Sequence, residues 1–198
     1  FEASPACAVN NAEQESVSKS YRKEGLTFVS TGSKEQKILH RKGDQIKIDW
    51  GYFYLSAADN GTTQSVGGAM TLRKAFAANG KLDGKTASAD NANIAVARSL
   101  GRSVEAEGMV MAGFDDIYSI QYFKTDLRPY WNRKGDSSIE RQFALAARDY
   151  TALKRKCGKF DRELMESATR RGGRKYAELC ALAYRQAIAA HKLVEAPN

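Results

Sequence analysis

The sequence predicts an α+β protein, an antiparallel β-sandwich-like N-terminal part followed by antiparallel α-helices, on three observations. Short β-branched and aromatic runs, divided by turn residues, fill most of the chain from Leu26 to about Phe123. Near Ser137 a capping pattern opens an apolar period of three and four, and that period continues almost to the C-terminus. The expected organisation is therefore a sandwich-like part over 1–127, a linker over 128–137 and a helical part over 138–198.

In the first part the strand candidates are LTFVS, QIKIDWGYFYLSAA, NIAVARSLG, EGMVMAGF and IYSIQYF. Ile46, Ile48 and Trp50 alternate with Lys47 and Asp49, and Tyr52 and Tyr54 suit a pleated, half-buried surface. Gly32, Gly43, Asn60-Gly61, Asn79-Gly80 and Asp83-Gly84 supply the breaks. A short helix is expected over 69–78, burying Met70, Leu72, Ala75 and Phe76.

In the second part, Ser137 and Glu140 have capping-box spacing. The first helix then carries one stripe, Ile139, Phe143, Ala146, Ala147, Tyr150, Leu153 and Cys157. A second is expected from about Asp161 to Arg171, ended by Gly172-Gly173, and a third from Arg174, with Tyr176, Leu179, Cys180, Ala183, Tyr184, Ala187 and Ile188 inward.

Composition narrows the function classes. A chain of 198 residues with 42% hydrophobic content can bury a real core, which excludes global disorder. No apolar run approaches the ~20 residues that span a bilayer, because Arg185, Gln186, His191 and Lys192 interrupt the Ala-rich stretch. The net charge of +8 gathers in 138–198, which carries 13 Lys+Arg against 7 Asp+Glu. Lys154, Arg155, Lys156 and Lys159, and then Arg170 and Arg171, are expected at helix C-termini, where cations meet the negative dipole end. No aromatic interleaving marks a nucleic-acid platform, and no nucleic-acid partner is expected. Cys7, Cys157 and Cys180 show no metal-ligand spacing, and Cys157 and Cys180 are expected to be buried small hydrophobes, with a single disulfide bridge as the alternative. No metal or organic cofactor is expected. The chain opens on Phe1 with no signal-peptide pattern, so an N-terminal segment removed from a longer protein is expected.

The nucleophile-elbow, phosphate-loop and HExxH patterns are absent, and His40 and His191 are the only histidines. His40 is read as a surface residue and His191 as a partly buried structural one. The stretch most suited to chemistry is GFDDIYSIQYFKTDLRPYWNR, from Gly113 to Arg133. Asp115 and Asp116 are read either as an acid/base element or ammonium holder, or as turn caps. Arg128 or Arg133 suits a bidentate grip on a carboxylate. Tyr130 and Trp131 either line a site or plug the junction between the two parts. Arg185 and Gln186 break an otherwise apolar helix and either face a pocket or serve as inter-helix anchors or solvated positions.

Four segments, RKGDQIKIDWGYFYLSA, GFDDIYSIQYF, LRPYWNRKGD and KYAELCALAYRQAIAAHKLVEAPN, resemble in order successive segments of the glutaminase A family of gut Bacteroides-type bacteria and fungi. The resemblance covers nearly the whole chain, and its last two segments are the most specific. It departs over 85–106, which is short and lacks the family's Pro and Trp. It implies part of a central β-sandwich domain leading into a helical toroid, within a secreted or periplasmic protein several hundred residues longer. The implied activity is hydrolysis of the side-chain amide of L-glutamine to glutamate and ammonia, with the remaining domains of the same enzyme as partners and this piece inactive alone. The alternatives are a fragment of a toroid-type glycoside hydrolase, or a non-catalytic sandwich module for binding or spacing. The residues expected to line the parent's site are Asp115, Asp116, Tyr130, Trp131, Arg185 and Gln186, with the catalytic nucleophile or base unassigned.

Overall fold

A computed structural model describes residues 1–40, 47–102 and 106–196. The predicted positions Gly43 and Ile46, and residues 103–105 of the divergent stretch, lie outside them.

Alternation of side chains sorts the strands into layers. Leu26–Ser33 (β3) is flanked by Ser16–Lys23 (β2) and Tyr52–Ala58 (β4), and the five-stranded antiparallel sheet is completed by Ser88–Asp90 (β6) beside β2 and Val110–Asp115 (β8) beside β4. A second sheet orders Glu2–Ala3 (β1), Asn93–Arg98 (β7) and Thr62–Gly67 (β5), again antiparallel. Val29, Leu55 and Ala57 from the first sheet meet Val66, Ile94 and Val96 from the second in a core from which water is almost wholly excluded. This is the predicted sandwich. Ala69–Asn79 (α1) lies on the far side of β7, where Leu72 joins Leu82 and Ala95. Of the four residues expected to be buried in this helix, only Leu72 is; Met70 and Phe76 stay exposed because a short helix on one sheet has a single covered face.

The strand predicted through QIKIDWGYFYLSAA begins only at Tyr52. Gly51 takes a φ of +79°, a conformation that ends extended pairing, and leaves Asp49 and Trp50 in a buried connection. β2 itself has no counterpart among the predicted strands. Its hairpin turn is Glu24-Gly25 with φ of +54° and +71°, a left-handed pair that sequence normally signals with Asn-Gly.

The opposite face of the five-stranded sheet carries Tyr21, Phe28, Tyr54 and Gly113. Phe143, from the first turns of Ile139–Ala190 (α2), covers them, edge-on to Phe28 at 5.6 Å between ring centres. The N-cap of α2 is Ser138, whose hydroxyl accepts the amide of Arg141, so the cap falls one residue after the predicted Ser137.

Contacts divide the chain into one unit of 1–144 with 194–198, and a second of 145–193. The second unit is a helical hairpin. α2 runs without a break through Gly158, so the first two predicted helices are one; a lone glycine costs only ~1 kcal/mol and no proline assists it. Lys154 to Lys159 consequently lie mid-helix, not at a helix end. The break comes at Gly173, with φ +79° and ψ −179°, a region open essentially to glycine alone. Beyond it the chain folds back, bringing the rings of Phe160 and Tyr184 within 5.0 Å. Two helices cannot enclose a full stripe, so Leu153, Leu179, Leu182 and Ile188 are exposed, as is Cys157, against the expectation of burial; Cys180 is half-buried. His191 is also exposed, its ring bonded to the Ala187 carbonyl. No described helix is long and apolar enough to cross a membrane.

Candidate functional site

The end of β8 is where the sequence placed most of its chemistry. Past Asp115 the chain turns on Ile117, whose φ of +58° is an outlier for a β-branched residue, and the turn closes as the Tyr118 amide donates to the Asp116 carbonyl at 2.5 Å. Three groups hold this strained geometry. The Ile117 amide donates to Asp115 Oδ1 at 3.0 Å, the Ser119 hydroxyl donates to Asp116 Oδ2 at 2.9 Å, and the Trp50 indole N–H donates to the Tyr118 carbonyl at 3.1 Å. Gly51 passes so near that a Cβ on it would stand 2.1 Å from the Asp115 carbonyl oxygen. Strain held by several independent contacts is characteristic of functional turns.

The two carboxylates differ. Asp116 is almost fully buried and has the Ser119 bond. Asp115 is half-buried, and its carboxyl is held above the ordinary aspartate range, first by burial, with Asp116 and Glu140 adding to the effect while the Ile117 amide and Arg128 oppose it. Glu140, on the same side of the sheet, shifts the other way: burial raises it, but its own amide, Ser138, the Tyr21 hydroxyl at 2.9 Å and the charge of Lys23 together hold it below the glutamate range. Burial foremost raises the Tyr54 phenol, with the Asp115 charge next.

After Ile120–Tyr122 (β9) and Thr125–Leu127 (β10), a tight hairpin, the chain passes Arg128 and Pro129 into a short 3-10 turn at Tyr130–Asn132. Pro129 pairs with Val194, which sets Glu195 beside Arg133 at 3.4 Å. These pieces enclose a polar cleft of about 530 Å³ lined by Tyr118, Asp126, Leu127, Arg128, Arg133 and Glu195. That size lies within the ~300–1,000 Å³ of small-molecule sites. A smaller groove of about 200 Å³ between α1 and β7 is lined chiefly by apolar side chains, and its charged residues, Glu2 and Arg73, are paired with each other at 2.8 Å.

Of the sequence-nominated residues, Asp115 and Asp116 stand in the turn directly before the cleft's Tyr118 rather than on its wall. Tyr130 is exposed and carries the Arg133 guanidinium on its ring at 4.2 Å, and Trp131 is half-buried in the same short turn. Arg185 and Gln186 belong to the helical hairpin and are exposed; Arg185 borders a groove there with Phe160 and Tyr184. The arginines weighed as carboxylate grips, Arg128 and Arg133, are the ones that share a cavity. Asp126 lies in the same stretch, two residues before Arg128, and joins the nominated residues on the cleft wall, whereas Glu195 has no local signal, since its role comes from long-range placement. Among the described residues no group of three or more His, Cys, Asp or Glu side chains converges as a metal site would require.

Comparison with curated proteins and with solved structures gives no match. A family model described as a domain of unknown function, DUF5127, matches residues 1–167, and the chain belongs to that family.

Proposed function

We propose that the chain contributes part of the substrate site of a secreted or periplasmic hydrolase that converts the side-chain amide of L-glutamine to glutamate and ammonia, and is inactive by itself. The observation that carries this reading is a convergence. Each of the four segments that resemble the glutaminase A family sends a residue to the β8–β9 turn or the cleft beside it: Trp50 from the first, Asp115 to Tyr118 from the second, Arg128 to Gly135 from the third and Glu195 from the fourth. Amide hydrolysis adds water to the amide carbon and must protonate the departing nitrogen. Asp115, held protonated to higher pH than an ordinary aspartate, suits the proton-donor role. No nucleophile is assigned to this chain, so the reading gives it a share of the site and leaves the remainder to other domains. The exposed apolar stripe of the hairpin supports further helices packing there, as in a toroid.

A second reading has one observation in its favour. Asp115 and Glu140 are carboxylates whose environments push them in opposite directions, the pattern of an acid/base pair in a glycoside hydrolase. The deciding experiment measures ammonia from L-glutamine and reducing sugar from a glycan panel, for this chain and the full-length parent in parallel. Ammonia from the parent alone supports the glutaminase reading. Sugar without ammonia overturns it in favour of the second, and ammonia from the isolated chain overturns the claim that it is inactive.

A further inference from the structure

The cleft holds two guanidinium groups that are prepared alike and occupied differently. Arg128 lies over the Tyr118 ring at 4.7 Å and donates from Nη2 to the Tyr118 hydroxyl at 3.3 Å. Its other flank is Gly135, φ +72°, where a Cβ would stand 3.3 Å from Nε. Arg133 lies over the Tyr130 ring at 4.2 Å and donates from Nη1 to the Tyr130 carbonyl at 3.1 Å. A ring contact and a hydrogen bond hold each guanidinium in advance, so less freedom is lost when a planar, two-oxygen acceptor arrives. Arg133 already faces such an acceptor, the Glu195 carboxylate at 3.4 Å. Arg128 makes no ion pair with any described residue. The same wall carries opposite charge in Asp126 and Glu195, so the cleft offers both signs within one small cavity.

We propose that this cleft binds free α-amino acids, Arg128 and Arg133 receiving the α-carboxylate and Asp126 the ammonium, with Glu195 an internal carboxylate that the ligand displaces from Arg133. The choice of L-glutamine and L-glutamate as ligands rests on the functional reading above; the recognition of a zwitterion rests on the cleft. A bidentate fork favours carboxylate geometry, and a small cavity lined by both charges favours a molecule carrying both. Binding also reaches the acid in the turn. Arg128 lowers the proton affinity of Asp115, and an anion seated on Arg128 offsets that influence, so a bound carboxylate strengthens the hold of Asp115 on its proton.

The test is calorimetric titration of the whole 198-residue chain with L-glutamine, L-glutamate, γ-aminobutyramide, which lacks the α-carboxylate, and inorganic phosphate. Saturable binding of both amino acids and none of γ-aminobutyramide is expected. Arg128→Gln should weaken binding at least about tenfold, and Arg128→Lys, which keeps the charge but not the fork, should fall between. Glu195→Gln, at an exposed side chain, should tighten binding several-fold by removing the competitor. Equal binding of γ-aminobutyramide, phosphate binding with the amino acids silent, or no heat with either the natural chain or Glu195→Gln overturns the proposal. Unchanged or weaker binding by Glu195→Gln overturns its displacement step. The two proposals fail separately. Binding that needs Arg128 while the parent releases no ammonia removes the glutaminase reading and leaves the site, whereas ammonia release unaffected by Arg128→Gln in the parent does the reverse.

Discussion

The ring of Phe143 rests on the bare backbone of Gly113, its Cζ 2.9 Å from where a Cβ would stand. That approach seats the first turns of α2 on the sheet, with Phe28 edge-on at 5.6 Å and Tyr54 at 6.4 Å. Gly113→Ala should therefore destabilise the sandwich unit by ~1–3 kcal/mol, the cost of forcing a packed ring aside. Phe143→Ala should cost ~3–5 kcal/mol, since the ring is almost wholly buried. In the double variant the Gly113→Ala penalty should largely vanish, because the clashing ring is gone. Urea unfolding of the four proteins measures this coupling, and additive penalties would mean the contact is not what requires glycine.

Gly51 and Asp115 form a second close approach, through backbone alone. A side chain at Gly51 would meet the Asp115 carbonyl at 2.1 Å while occupying φ +79°. Gly80 has a similar φ, +69°, with nothing within 4 Å of its absent Cβ. Gly80→Ala should then cost ~1–2 kcal/mol for conformation only, and Gly51→Ala roughly 3 kcal/mol or more, with the excess reporting the contact. Equal urea midpoints for the two variants would show that the turn yields freely. Where the prediction holds, Gly51→Ala should also displace the Asp115 to Tyr118 turn and weaken amino-acid binding in the adjoining cleft.

The parts of the fold legible in sequence are those written in local periodicity. β3, β7 and β8 announce themselves through Leu26 to Val29, Ile94 to Val96 and Val110 to Phe114, and the change to helical spacing at Ile139 is equally plain. β2 is hidden because Ser16 to Lys23 is mostly polar and its turn uses Glu24. The extra helix break expected near Gly158 does not occur, since one glycine cannot end a helix that no competing cap interrupts. The candidate site divides on the same principle. Asp115, Asp116, Arg128 and Arg133 stand out by residue type within one stretch. Glu195 does not, because its approach to Arg133 depends on the pairing of Pro129 with Val194, which has no local pattern.

The β9–β10 hairpin turns on Phe123 and Lys124 at φ +43° and +70°. Each such residue carries a cost of ~1–2 kcal/mol that asparagine and glycine largely avoid. Phe123 is 84% exposed, so its removal forfeits little burial beyond the contact with the Tyr122 ring at 4.6 Å. Exchanging Phe123-Lys124 for Asn-Gly should raise stability by about 1 kcal/mol or more, read as a higher thermal midpoint. A lower midpoint would show that the Tyr122–Phe123 pair outweighs the strain, and would make that exposed pair a structural element of the hairpin.

Asp115 should impose a pH dependence of defined sign. Burial above all holds its carboxyl higher in the folded protein than in the unfolded chain, so folding favours the protonated form. Its contribution is fully present below the ordinary aspartate value of ~3.9 and is lost as pH rises through the elevated folded value. Asp115→Asn keeps the oxygen that accepts the Ile117 amide and removes the ionisation. The variant should match the natural protein at acid pH and become progressively more stable than it as pH rises, with the gap levelling once Asp115 is ionised in both states. Urea midpoints from about pH 3 to about pH 8 test this. A gap that instead turned against the variant with rising pH would show that Arg128 and the Ile117 amide outweigh burial, leaving Asp115 a stabilised anion that could not serve as the proton donor assigned to it.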